Sequence, residues 1–223
     1  MNARARILAR LSQAPAPEAL PLPDLEPWKP AVPPAGSRER LDLFKALMLA
    51  AHAEVHETDE QAWPGLLLEL ARQKNVRTLL VGTGTEATAR LKSHSSETLQ
   101  VMSYERPINQ WRAELFEQVD AGFTQAKSAI AATGSLVLWP NSQEPRLLSL
   151  VPPIHFVLLN AHALHADLRE AMRVEQWTTQ MPTNALVISG PSKTADIQQT
   201  LAYGAHGPKE LIILLCHNRE GSS

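Results

Sequence analysis

Val76 to Val81 is a short apolar run stopped by Gly82, and Leu211 to Leu215 is another near the far end of the chain. Such runs, too short for a buried helix and without in-out alternation, are the signature of strands covered on both faces of a parallel sheet. A parallel sheet needs crossover segments, and helical periodicity supplies them. Ser37 reads as the N-cap of a helix carrying Leu41, Phe44, Leu47, Met48 and Ala51 at helical spacing. A second helix is expected over Glu60 to Lys74, with Pro64 tolerated in its first turn. Others are expected at Glu86 to Lys92, Trp111 to Glu117, His165 to Trp177 and Thr194 to Leu201, with strands at Leu99 to Met102, Asp120 to Phe123 and Ala185 to Ser189. Ala129 to Ala132, Leu136 to Trp139, Leu147 to Leu150 and Ile154 to Leu159 follow one another through tight turns and prolines, which reads as a small antiparallel insertion. The class is therefore α/β: a mostly parallel sheet with flanking helices and one antiparallel insertion.

Met1 to Leu11 has Arg4, Arg6 and Arg10, no acid before Glu18, and apolar Ile7, Leu8 and Leu11. It reads as an amphipathic helix that docks on this domain or on a partner; a transit peptide is the other reading, and the long apolar core of a secretory signal is missing. Residues 14–34 hold eight of the 17 prolines, a density that blocks helix and ladder alike, so they form an extended linker in which Trp28 is an anchor. The expected division is 1–36 for helix and linker and 37–218 for the folded domain. The 21 Lys and Arg against 23 Asp and Glu give no whole-chain positive field for nucleic acid. No run nears 18 apolar residues, so no membrane span is expected, and the placement expected is cytoplasmic. With Cys216 as the one cysteine, the chain has no internal disulfide, no cysteine-based zinc site and no cluster of its own.

Candidate chemistry gathers at turns. Gly82-Thr83-Gly84-Thr85, between strand and helix, points amides and a helix dipole at one spot suited to a phosphate or carboxylate. It lacks the third glycine of a dinucleotide fingerprint and the Gly-Lys-Ser/Thr of a P-loop. Gly190-Pro191-Ser192-Lys193-Thr194-Ala195-Asp196 is denser: Ser192 and Thr194 cap amides, Lys193 neutralises an anion, and Asp196 suits a first helical turn. His206 in Ala205-His206-Gly207-Pro208-Lys209 is a candidate acid, base or carboxylate partner, and Lys209 joins the anion set. Thr133-Gly134-Ser135 serves equally as an anion nest or as a hairpin. His52 and His56, i and i+4 on one helix face, read as solvent-facing, and Glu54 is misplaced for a zinc-protease pattern. His162 and His165 read as a loop and a helix cap, and Cys216 as a buried small hydrophobe. No metal site is expected, and no catalytic residue is assigned.

The run Gly190 to Ile197 followed by Gly204 to Leu211 resembles the C-terminal signature of the LutC/YkgG proteins, which carry the LUD domain of lactate utilisation. Asp120-Ala121-Gly122-Phe123-Thr124 leading to Ala129 through Leu138 is similar to a second motif of that family, and Leu148-Ser149-Leu150-Val151-Pro152 to a third. The resemblance covers roughly residues 38–217. Ala132 stands where the family often has Glu. The resemblance implies a fold like that of glucosamine-6-phosphate deaminases, ribose-5-phosphate isomerases and CoA transferases. The isomerases' later acidic and Lys-Gly-Gly motifs have no counterpart at Asp120 or Thr133, so their activity is not implied. It also implies an accessory role beside LutA/LutB-like iron–sulfur proteins in oxidising L-lactate to pyruvate, the clusters sitting on those partners and no cofactor on this chain. The alternative it leaves is an enzyme or binding protein for a small carboxylate or phosphorylated metabolite, held across the loops at 82–85, 133–135, 190–196 and 206–209.

Overall fold

The computed structural model describes residues 3–13, 31–94, 99–195, 201–203 and 206–217, with the side chains of 194–195 and 201–203 left out. The elements in order are α1 (Ala3–Ser12), α2 (Arg38–Ala50), β1 (Glu54–Asp59), α3 (Trp63–Gln73), β2 (Thr78–Val81), α4 (Glu86–His94), β3 (Gln100–Ser103), α5 (Arg112–Glu117), β4 (Ala121–Gln125), β5 (Ser128–Ile130) and β6 (Ser135–Leu138). They continue with α6 (Leu147–Leu150), β7 (Ile154–Asn160), β8 (Leu164–His165), α7 (Leu168–Val174), α8 (Trp177–Gln180), β9 (Leu186–Ile188), β10 (Lys193–Ala195), β11 (Leu201–Tyr203) and β12 (Glu210–His217). Six strands form one sheet in the order β1-β12-β7-β4-β2-β3, every pair parallel. A second sheet, β8-β5-β6-β9, is mixed, and β10 and β11 make a separate antiparallel pair.

The apolar run at 211–215 is β12, one strand in from the edge of the six. Its Ile212, Leu214 and Cys216 pack into one cluster with Trp63 and Leu67 of α3 and Leu91 of α4. Leu211, Ile213 and Leu215 pack into a second with Phe44 and Met48 of α2 and with Leu136 and Leu138 of β6. Alternate residues thus serve opposite faces, which is why no polar alternation interrupts the sequence. The layers are α3 and α4, then the parallel sheet, then α2 with the second sheet. Ser37 caps α2 as expected, its hydroxyl accepting from the Arg40 amide, and Pro64 sits in the first turn of α3.

Several elements differ from expectation. His52 and His56 share no helix: α2 stops at Ala50, His52 takes a left-handed φ of 66°, and His56 lies on β1, an edge strand whose polar sequence hides it. Leu147 to Leu150 is the short helix α6 rather than a strand, because periodicity does not decide a four-residue apolar run. Ile154 to Asn160 is β7, between β12 and β4 in the parallel sheet, not part of an antiparallel insertion. The helix expected over 165–177 splits into α7 and α8 at Gln176, whose φ is 52°. The strand at 186–188 belongs to the second sheet, antiparallel to β6. Residues 193–195 and 201–203 are strands rather than the ends of a helix. Trp28 and most of the proline-rich linker, like Asp196, lie outside the described residues.

Candidate functional site

In an all-parallel sheet, every residue that follows a strand lies at the carboxyl end and every residue that precedes one lies at the amino end. Gly82 to Thr85 follow β2, whereas Gly207 to Lys209 precede β12, so these two predicted loops sit at opposite ends of the sheet. At the carboxyl end the chain itself covers 82–85. The Thr83 amide donates to the Gln143 carbonyl (2.8 Å), and a Cβ at Gly82 would lie 2.5 Å from that oxygen, so glycine permits the close approach. Thr85 Oγ1 accepts from the Thr88 amide (3.1 Å) at the start of α4. Glu144 accepts from the Gln125 amide (3.2 Å) beyond β4, and burial pushes its carboxyl pKa upward.

The other predicted loops come together. Thr133 Oγ1 meets Ser135 Oγ at 2.7 Å, and Ser135 Oγ meets Ser189 Oγ at 2.6 Å, which ties the β5–β6 turn around Gly134 to the end of β9. Gly190 has φ +141° and passes so close to Ala51 that a Cβ would lie 2.9 Å from its Cβ, so the backbone and the space both demand glycine. The Ser192 amide donates to the Pro208 carbonyl (2.8 Å), and the Lys209 amide to the Pro153 carbonyl (2.7 Å). These bonds enclose a cavity of about 250 Å³ at the amino ends of β7 and β12, with Ser189, Gly190, Ser192, His206 and Gly207 in its wall. Lys193 and Lys209 are exposed and do not line it. For Thr194, only the backbone on β10 is described.

His155 is in the same wall, and spacing in the sequence did not reveal it. It is the second residue of β7 and only 1% exposed. Its Nε2 lies 2.9 Å from Thr124 Oγ1 on β4, while Nδ1 has no hydrogen-bond partner among the described residues. Burial pulls its pKa down to about 3, so the ring is neutral at ordinary pH. Ser149 on α6, 1% exposed, completes that wall. Among the described residues, no Asp, Glu, Lys or Arg lines the cavity. It presents a neutral imidazole, hydroxyls and backbone groups beside apolar Leu150, Ile188 and Leu211, a mixture suited to a small molecule fixed by a few hydrogen bonds. A lone histidine inside an apolar strand has no spacing partner, and only the fold brings Thr124 and Ser149 to it.

At the opposite end, after β7 and β12, a cavity of about 600 Å³ is lined by Arg38, Arg40, His162, His165, Glu170 and His217 among others. Most of these charges are matched: Arg38 with Asp42 (3.2 Å) and Glu57 (3.0 Å), Arg40 with Glu170 (3.3 Å), His165 with Glu175 (3.0 Å) and His217 with Glu57 (3.0 Å). His165 lies on β8 rather than capping a helix; Asp167 caps α7 by accepting from the Glu170 amide. Among the described residues, no group of three or more His, Cys, Asp or Glu is placed to hold a metal ion, and no helix is long and apolar enough to cross a membrane.

The model of the LUD domain matches residues 41–216. An uncharacterized protein of Neisseria meningitidis serogroup B is 39% identical over 220 residues, 96% of this chain and 93% of that one. Lactate utilization protein C of Exiguobacterium is 24% identical over 189 residues, 82% of this chain and 80% of its own. The crystal structure of a DUF162 family protein from Deinococcus radiodurans superposes with a TM-score of 0.61 at 22% identity, over 80% of this chain and 96% of the other, and so shares the fold.

Proposed function

The chain belongs to the LUD-domain family, and from that premise we propose that it serves lactate utilisation as an accessory component of a system oxidising L-lactate to pyruvate. The observation that carries this reading is the likeness, along four-fifths of the chain, to a relative named Lactate utilization protein C. In this reading the electrons travel through iron–sulfur clusters on LutA/LutB-like partners in the cytoplasm. Cys216 is in keeping with that division of labour. It is buried on β12, and burial, with Glu60 and Asp59 nearby, pushes its thiol pKa up, away from the thiolate that binds iron.

A second reading is favoured by the amino-end cavity: an enzyme or binding protein for a small carboxylate or phosphorylated metabolite. Ser192, His206 and Gly207 approach the ligand from the loops, His155 from the sheet, and Lys193 and Lys209 supply positive charge outside the cavity. The 82–85 loop, on the other end of the sheet, takes no part in it. One experiment separates the readings: lactate-dependent growth and dye reduction in a strain lacking only this gene. The strain is complemented with wild type or with a folded variant carrying Lys193→Ala, Asp196→Ala and His206→Ala. Loss on deletion with rescue by the variant supports the accessory reading. Loss without rescue puts a working site on those loops. Normal growth on lactate after deletion overturns the lactate role.

A further inference from the structure

Helix α1 poses a physical problem that the folded domain does not solve. It is ten residues long, and none of them is buried. Isolated helices shorter than about 12–15 residues are marginal in water, and most helical stability in proteins comes from packing an apolar face. Ile7, Leu8 and Leu11 are 60%, 54% and 67% exposed. At 3.6 residues per turn these three share one sector about 100° wide, Arg6 and Arg10 flank it on the Ile7 side, and Arg4 falls within it one turn before Leu8. The helix contains no acid. Its apolar face and its charge both call for a surface the domain does not supply.

We infer that α1 is an interfacial anchor that lies on an anionic lipid surface. Three side chains and ten residues fall far short of the roughly 800 Å² per partner that a stable protein interface buries. Three arginines without an acid match a uniformly negative plane better than a protein groove carrying both signs. In the lipid arrangement, Ile7, Leu8 and Leu11 enter the boundary between headgroups and acyl chains, Arg6 and Arg10 reach the phosphates from the flank, and Arg4 at the first turn extends its guanidinium up to them along its apolar stem. The helix lies along the surface and does not cross it.

The test uses the full chain and sedimentation with vesicles of pure phosphatidylcholine or of an equimolar mixture with phosphatidylglycerol. The expected result is binding to the anionic vesicles only, weakened by salt, with a gain of helicity in circular dichroism. Arg6→Gln with Arg10→Gln is expected to weaken binding roughly 25-fold, near fivefold per arginine. Ile7→Glu with Leu11→Glu is expected to abolish it. Both variants should keep the wild-type melting temperature, since neither pair packs on the domain. Equal binding to both vesicles, or binding that survives loss of the arginines, overturns the inference. Absence of binding also overturns it and leaves a protein groove as the occupant. The assay needs neither lactate nor an iron–sulfur partner, so its failure is separable from failure of the lactate-utilisation reading.

Discussion

The two ends of the parallel sheet hold polar groups in opposite ways. At the carboxyl end, Arg38, Arg40, His165 and His217 line a wide cavity, and each has an acidic partner. At the amino end, no charged carboxylate, ammonium or guanidinium lines the smaller cavity among the described residues, and among them His155 has a hydrogen-bond partner at one ring nitrogen. Ligands of open α/β sheets usually sit at carboxyl ends. Here the crevice beyond β2 and β4 is filled by Gln143 and Glu144, and the cavity that holds His155 lies at the other end.

The contrast can be broken first at Arg40. Its side chain is 7% exposed and holds Glu170, while its Nε donates to the Pro33 carbonyl (2.7 Å). Arg40→Ala leaves a partly buried carboxylate without its cation and should cost about 3 kcal/mol in denaturant unfolding. The amino-end cavity should survive this change. Gly82→Ala drives a methyl into the Gln143 carbonyl and should cost about 2 kcal/mol. A cost near zero would mean that the 141–144 segment yields easily and that the carboxyl-end crevice can open.

His155 sharpens the comparison through pH. Its folded pKa of about 3 lies below the ordinary histidine value near 6.5. Between those values the unfolded chain binds a proton that the folded chain refuses. Stability is thus complete above about pH 6.5 and declines as pH falls towards 3, with a slope approaching about 1.4 kcal/mol per pH unit from this group. His155→Leu should flatten that limb in acid melting curves. At neutral pH it should cost about 1.5 kcal/mol by stranding the Thr124 hydroxyl, most of which Thr124→Val should restore in the double variant. An unchanged acid limb would show that His155 is not held neutral by the fold. The smallest effect belongs to Arg38, whose ion pairs lie at the solvent boundary with its own side chain 59% exposed. Arg38→Ala should change stability by less than about 0.5 kcal/mol, and a larger loss would mean that the carboxyl-end charges act as a network.

Much of the scaffold was legible because its signals are local. The apolar runs of β2 and β12, the Ser37 cap of α2 and the Pro64 start of α3 each state their conformation within a few residues. β1 was not legible, because its one covered edge pairs with β12, Glu54 standing opposite Ile212, 158 residues further along the chain, and Glu-Val-His-Glu-Thr-Asp carries no run of its own. Of the predicted site, Ser192 and His206 proved to be neighbours of Gly190 across one cavity. His155, Thr124 and Ser149 carried no sign of partnership, since they come from β7, β4 and α6.

By itself the sequence determined an α/β class, the strands buried on both faces, the start of the first domain helix and the amphipathic, acid-free character of the N-terminal segment. These follow from periodicity, capping and charge, which act over a few residues. The tertiary structure alone decided which end of the sheet each loop occupies, that the crevice beyond β2 and β4 is filled, and which histidine loses its charge. Those depend on pairing register and desolvation among residues far apart in the chain, and neither quantity exists until the sheet has closed around them.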